Sequence, residues 1–259
     1  CGAFRDTIGE KYTWMGGWVV VVCFALGAYY SVTMGWCLRY FIYGLQGALS
    51  PGADTVALWE NFIASPGQGL ILNAISVLIA AVIVYKGVEG GIEKASKIMI
   101  PTLFFLLIIG MIRAVSMPGA TTGLHYLFNP DFSQLGNSKV WLEAFTQIAW
   151  STGAGWGFMI TYAVYTKEKE DVACNSFITG LADTSAALIA AMAVIPCIFA
   201  MAPNNYEEVL GAGNTGLTFI WLAKLFPEMP GGSIVATLFF LAMTFAALTS
   251  LYAMYEVSI

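Results

Sequence analysis

The chain has 259 residues, of which 58% are hydrophobic and only 10% charged, too apolar for a soluble domain that must clothe its core in charge. Its net charge of −5 is scattered, with no basic stripe of the kind a phosphate backbone requires, so nucleic acid is excluded as a partner. The composition fits the lipid bilayer as solvent. Cys1, Cys23, Cys37, Cys174 and Cys197 show no CxxC or Cys/His ligand spacing and read as small packing residues. The chain opens at Cys1 without an initiator Met and stops at Ile259 inside an apolar run. The expectation is therefore one transmembrane domain over 1–259, incomplete at both ends.

About six stretches are apolar enough to cross the hydrocarbon as helices, since a helix satisfies its own backbone where water is absent. In chain order they are 13–43, 70–85, 98–115, 140–165, 174–201 and 233–255. The first is long enough to tilt strongly or to project beyond the membrane. Loops at 47–69, 117–139 and 203–232 carry the prolines and paired acids, and 217–226, too short to span, is expected to lie on or dip into the surface. Arg5, Lys11, Lys86, Lys94, Lys97, Lys167 and Lys169 fall on one side of this topology, while Arg39, Arg113, Lys139 and Lys224 fall on the other. The first set marks the cytoplasmic face. No Asn-x-Ser/Thr acceptor occurs in the outer loops, which fits a multi-pass protein of a prokaryotic inner (plasma) membrane.

Three polar features interrupt these spans. Gln147 to Gly157 holds Trp150-Ser151-Thr152-Gly153-Ala154-Gly155-Trp156-Gly157, with a glycine at every second position rather than at the four-residue spacing of a packing face. Either the helix breaks there, freeing backbone groups beside the Ser151 and Thr152 hydroxyls, or the glycines only let neighbouring helices approach. Asp183, in an apolar run, needs a cation, a proton or a wet cavity if it lies at mid-membrane, and only hydration if it lies at the interface. In the last span, Ala246-Ala247-Leu248-Thr249-Ser250 supplies oxygens that either bond back to the preceding turn or face a hard cation. Tyr29, Tyr30, Trp36, Trp150 and Trp156 either line a pocket or pack. Lone His125 lacks any partner motif, so the chain is not read as an enzyme.

At these positions the sequence resembles the neurotransmitter:sodium symporter family. The likeness is carried by Tyr29-Tyr30 and Trp36, by Gly91 and Pro101 nine residues apart, by Gln147 to Gly157 with Tyr162-Ala163-Val164-Tyr165, by Asp183, and by Ala246 to Ser250. It implies an all-α, polytopic fold of two inverted repeats, of which this chain is a partial copy covering about the third to eighth helices, with the sixth broken. It implies sodium-coupled symport of a small organic solute, an amino acid or related amine, by alternating access. Two Na+ sites are expected, each completed by the family's first helix. Ser151 and Asp183 match the first, and the Ala246 carbonyl with Thr249 and Ser250 the second. Leu26, Tyr30, Trp150, Ser151, Gly153, Trp156, Ser250 and Met254 match the substrate pocket, with Tyr30 toward a carboxylate and Trp150 as outer lid. Gln147, Trp150, Gly91 and Pro101 match gating positions. Asp183 stands where the family often has an amide, and Ala187 where relatives have a carboxylate or a chloride-binding serine, so chloride is not expected to be required. A solute sensor of the same fold and an ion channel are the alternatives. The substrate, stoichiometry and oligomeric state are not legible.

Overall fold

The computed structural model describes residues 1–167 and 169–259, and these are helical with no strand among the described residues. The first long helix, α1, runs Thr13–Leu45, and its 33 residues give a rod of about 50 Å. That exceeds a hydrocarbon core of about 30 Å, so α1 must tilt or project from it. A short helix α2 (Thr55–Ile63), capped by the Asp54 carboxylate on the Ala57 N–H, follows in the loop. Next come α3 (Pro66–Tyr85), opened by a proline at its first turn, and α4 (Glu93–Val115), preceded by a π-turn at Val88–Ile92. A pair of shorter helices, α5 (Ser138–Ser151) and α6 (Phe158–Ala163), is separated by an unwound segment. Beyond them are α7 (Val172–Met201), the loop helix α8 (Ala223–Glu228) and α9 (Gly232–Ser258).

Five of these helices are long and apolar enough to cross a membrane. The sixth expected span, 140–165, is present as the α5–α6 pair, and no single helix covers it because its middle is unwound. The other expected spans end within a few residues of α1, α3, α4, α7 and α9, so the protein is a multi-pass membrane protein.

The long helices α1 and α9 cross at the centre, where small residues let their backbones meet. A Cβ added at Gly44 would lie 2.5 Å from Thr237 Oγ1, and one at Gly27 would lie 3.0 Å from the Tyr255 ring. Lipid tails are as apolar as leucine, so such close packing, rather than hydrophobic exclusion, holds membrane helices together. Below it, Met34, Ala80, Met99, Leu251 and Tyr252 form an inner core shared by α1, α3, α4 and α9.

An outer core is aromatic. Phe219 stacks on Trp59 at 5.2 Å and on Phe240 at 6.1 Å, and Tyr40 sits 5.0 Å from each of the two phenylalanine rings. Phe219 belongs to the π-helical segment Leu217–Leu222, which with α8 forms the short apolar stretch expected at the surface. It dips in and becomes core, with Phe219, Leu222, Leu225 and Phe226 all buried. Loop-to-loop bonds tie this face together, from Arg113 to the Pro230 carbonyl and from the Gly52 N–H to Glu228 at 2.7 Å. The first half of α7 keeps Phe177, Ile178 and Leu181 exposed, an apolar surface suited to lipid or to other helices.

A candidate binding site at an interrupted helix

Residues 152–157 leave the helix that α5 begins. Gly153, Gly155 and Gly157 all adopt left-handed backbone, at φ of 64°, 81° and 82°, a region that residues with a Cβ rarely enter. That explains the alternation, because each glycine reverses the winding where another residue would continue it. Space is also short. A Cβ at Gly153 would meet the Phe158 ring at 2.6 Å, and one at Gly157 would meet Val19 of α1 at 2.7 Å.

Unwinding releases backbone acceptors. Among the described residues the carbonyls of Ser151, Thr152, Ala154 and Gly155 accept no backbone hydrogen bond. The carbonyl of Trp156 takes one from the buried Cys23 thiol of α1 at 2.8 Å. Unsatisfied carbonyls are costly in hydrocarbon and stable only where protein, water or an ion meets them.

Beside the break, Ser151 Oγ donates to Asp183 Oδ1 of α7 at 2.6 Å. No basic side chain pairs with Asp183 among the described residues, where the ion pairs are Arg5–Asp6, Lys97–Glu93 and Lys139–Glu143. A carboxylate with one hydroxyl and no cation is an incomplete ligand set for a positive charge.

On α9, Thr249 Oγ1 and Ser250 Oγ both donate to the Ala246 carbonyl, at 2.8 Å and 3.2 Å. The back-bonding alternative is thus realised, yet it gathers three oxygens at one point. Each hydroxyl spends its proton on the carbonyl and keeps its lone pairs, the arrangement a hard cation needs. The described residues hold no group of three His, Cys, Asp or Glu, and the ligands gathered here are hard oxygens, the kind an alkali or alkaline-earth cation takes.

The aromatic residues converge on the same region. Trp150 packs edge-on to Trp156 at 4.7 Å and lies 6.5 Å from the Tyr30 ring. Tyr30 in turn faces Ser250. Leu26, one turn before Tyr30, is half-buried, Met254 is fully buried at the α1–α9 contact, and Gln147 and Ala187 are exposed. Gly91 and Pro101 sit apart from this cluster, in the π-turn and the first half of α4, and there the chain is wound rather than open.

Sequence reasoning missed the inner end of the site. Tyr165, just beyond α6, donates to Glu256 of α9 at 2.9 Å, and Ser96 of α4 bonds the Tyr252 hydroxyl at 2.5 Å. Glu256 carried a readable signal, as an acid in an apolar span. Cys23 carried none.

The profile of the Sodium:neurotransmitter symporter family matches residues 54–259. The chain belongs to this family. An uncharacterized sodium-dependent transporter of Methanocaldococcus jannaschii is 33% identical over 95% of the chain and 52% of its own length. The uncharacterized sodium-dependent transporter YhdH of Bacillus subtilis is 31% identical over 98% of the chain and 56% of its own length. The crystal structure of MhsT in complex with L-phenylalanine superimposes with a TM-score of 0.85 at 32% identity, covering 99% of this chain and 57% of that one. The chain thus spans about half the length of the relatives it matches. The family and the relatives that match are described as sodium-dependent transporters, not enzymes.

Proposed function

We propose that the full-length protein couples the inward movement of sodium to uptake of a small organic solute, an amino acid or related amine, by alternating access. The observation that carries this reading is the bond from Ser151 to Asp183 across a helix unwound by three left-handed glycines. This carboxylate, which has no basic partner among the described residues, lies beside freed carbonyls and aromatic rings. L-Phenylalanine bound to MhsT supports an amino acid as the solute class.

In this reading Ser151 and Asp183 hold one sodium ion, and Ala246, Thr249 and Ser250 hold a second. The solute lies between them, against Leu26, Tyr30, Trp150, Gly153 and Trp156. Ser250 lies at its edge, and Met254 shapes the wall from behind through its packing on Gly27. The Tyr30 hydroxyl, free to turn from Ser250, donates to the solute carboxylate, and Gly153 leaves room that a side chain would fill. Trp150 closes the outer side below Gln147. On the inner side, separation of Tyr165 from Glu256 and loosening of the wound segment between Gly91 and Pro101 let water reach the second ion. Each sodium ion crossing the membrane contributes about 2.3 kcal/mol per 100 mV, in addition to its concentration gradient. Asp183 supplies the negative charge that balances the sodium, so chloride is not needed.

Proteoliposomes containing the full-length protein test this reading with labelled amino acids. Accumulation is expected with an inward sodium gradient, to be lost when sodium is replaced by choline, and to survive replacement of chloride by gluconate. Equal accumulation in choline would overturn the coupling, and loss in gluconate would overturn the role given to Asp183.

A further inference from the structure

One face of α1 runs along the interrupted segment. Val19, Cys23, Leu26 and Tyr30 follow one another at steps of four, three and four residues, the spacing of a single helical stripe. The segment meets this stripe in the opposite direction. A Cβ at Gly157 would stand 2.7 Å from Val19 Cγ1, the Trp156 carbonyl accepts from the Cys23 thiol, and the Trp150 ring lies 6.5 Å from that of Tyr30. In the proposed reading Leu26 and Tyr30 face the solute, whereas Val19 and Cys23 hold backbone.

The Cys23 contact differs from ordinary packing. Among the described residues the Trp156 carbonyl has no other hydrogen-bond partner, because the winding that would supply one is interrupted at Gly157. Cys23 is 0% exposed, so no water competes for its thiol. A carbonyl left unpaired in such surroundings costs stability, and a thiol packs as a small apolar group while still carrying a donor. Holding the carbonyl fixes the backbone from which the Trp156 indole projects. That ring packs edge-on to Trp150 at 4.7 Å and to Phe158 at 5.5 Å.

We propose that Cys23 is a positioning residue for solute binding, whose thiol pins the Trp156 carbonyl to α1 and so holds the Trp156 indole as a fixed wall of the pocket. The inference rests on the solute site proposed above. Being fully buried, Cys23 touches neither solute nor ion. With the pin in place the wall is set before the solute arrives. Without it the unwound segment has to be ordered on binding, which weakens affinity for the solute. The oxygens of Ala246, Thr249 and Ser250 lie on α9 and do not depend on the pin.

The test is uptake into proteoliposomes by the full-length protein under an inward sodium gradient. Each tritiated proteinogenic amino acid is tried on the parent, and the best accumulated is carried forward to Cys23→Ala, Cys23→Ser and Cys197→Ala. Alanine removes the donor from a helix that it otherwise suits, and should raise the half-saturation for solute about fivefold or more. Serine keeps a donor in the same place and should stay within about twofold of the parent. Cys197, buried in the outer core, is the control, and Cys197→Ala should leave the half-saturation unchanged. Simple loss of fold lowers the number of active molecules, and hence maximal uptake, without moving the half-saturation. A parent half-saturation in Cys23→Ala, a Cys23→Ser as weak as Cys23→Ala, or the same rise in Cys197→Ala would each overturn the assignment. A parent that accumulates no amino acid fails the solute reading and takes this inference with it, whereas a transporting parent matched by Cys23→Ala fails this inference alone.

Discussion

Asp183→Ala is expected to abolish sodium-driven uptake. Alanine removes the carboxylate that Ser151 bonds at 2.6 Å, and no other acid joins this pair in a metal-ligating group among the described residues. Once sodium and solute exclude water from this contact, losing its charged member costs about 2–5 kcal/mol, enough to weaken sodium binding about thirtyfold or more. Asp183→Asn separates the two roles of the side chain. It keeps an acceptor for the Ser151 hydroxyl but removes the charge, so it should bind sodium more weakly than the parent and more tightly than Asp183→Ala. Uptake as a function of external sodium, measured in proteoliposomes, ranks the three proteins. A sodium half-saturation in Asp183→Ala near that of the parent would refute the ion-ligand assignment.

Gly91→Ala, in the π-turn before α4, is expected to damage the inner end of the protein more than the same change at Gly90 or Gly110. The Cβ it adds would stand 1.9 Å from the Ile83 carbonyl oxygen and 3.0 Å from Lys86 Cβ. The first obstacle is backbone, which cannot rotate away, so the π-turn must shift off the end of α3. Overpacking of this sort costs about 1–3 kcal/mol and more when backbone must move. A chain of this size loses about 2–4 °C of melting temperature for each kcal/mol and one twice as long about half that, so the full-length protein in detergent should melt about 2 °C lower or more. Gly90→Ala is the internal control, because nothing lies within 4 Å of the Cβ it adds. Equal melting temperatures for the two variants would show that the π-turn is not held against Ile83.

The membrane spans were legible because hydropathy over about 20 residues reports the solvent of a helix directly, whatever that helix packs against. The break was legible for a local reason too. Alternating glycines suit a backbone that reverses its winding, and Gly153, Gly155 and Gly157 do so. The segment around Phe219 was only half legible. Its shortness ruled out a span, but its burial depends on Trp59 and Phe240, residues far away in sequence that stack on it. The Thr249 and Ser250 hydroxyls left two readings open, and the structure shows why they do not exclude each other. The proton goes back to Ala246 while the lone pairs stay free. The bond between Tyr165 and Glu256 joins residues ninety-one positions apart, and no local pattern announces such a pair.

Equilibrium binding of sodium-22 to the purified full-length protein, in the presence of a transported amino acid, is the most direct measurement. Two ions per protein are expected for the parent, and one for Asp183→Ala and for the double change Thr249→Ala with Ser250→Ala. Unchanged sodium binding in both variants would mean that the oxygens gathered beside the unwound helix do not hold the ions.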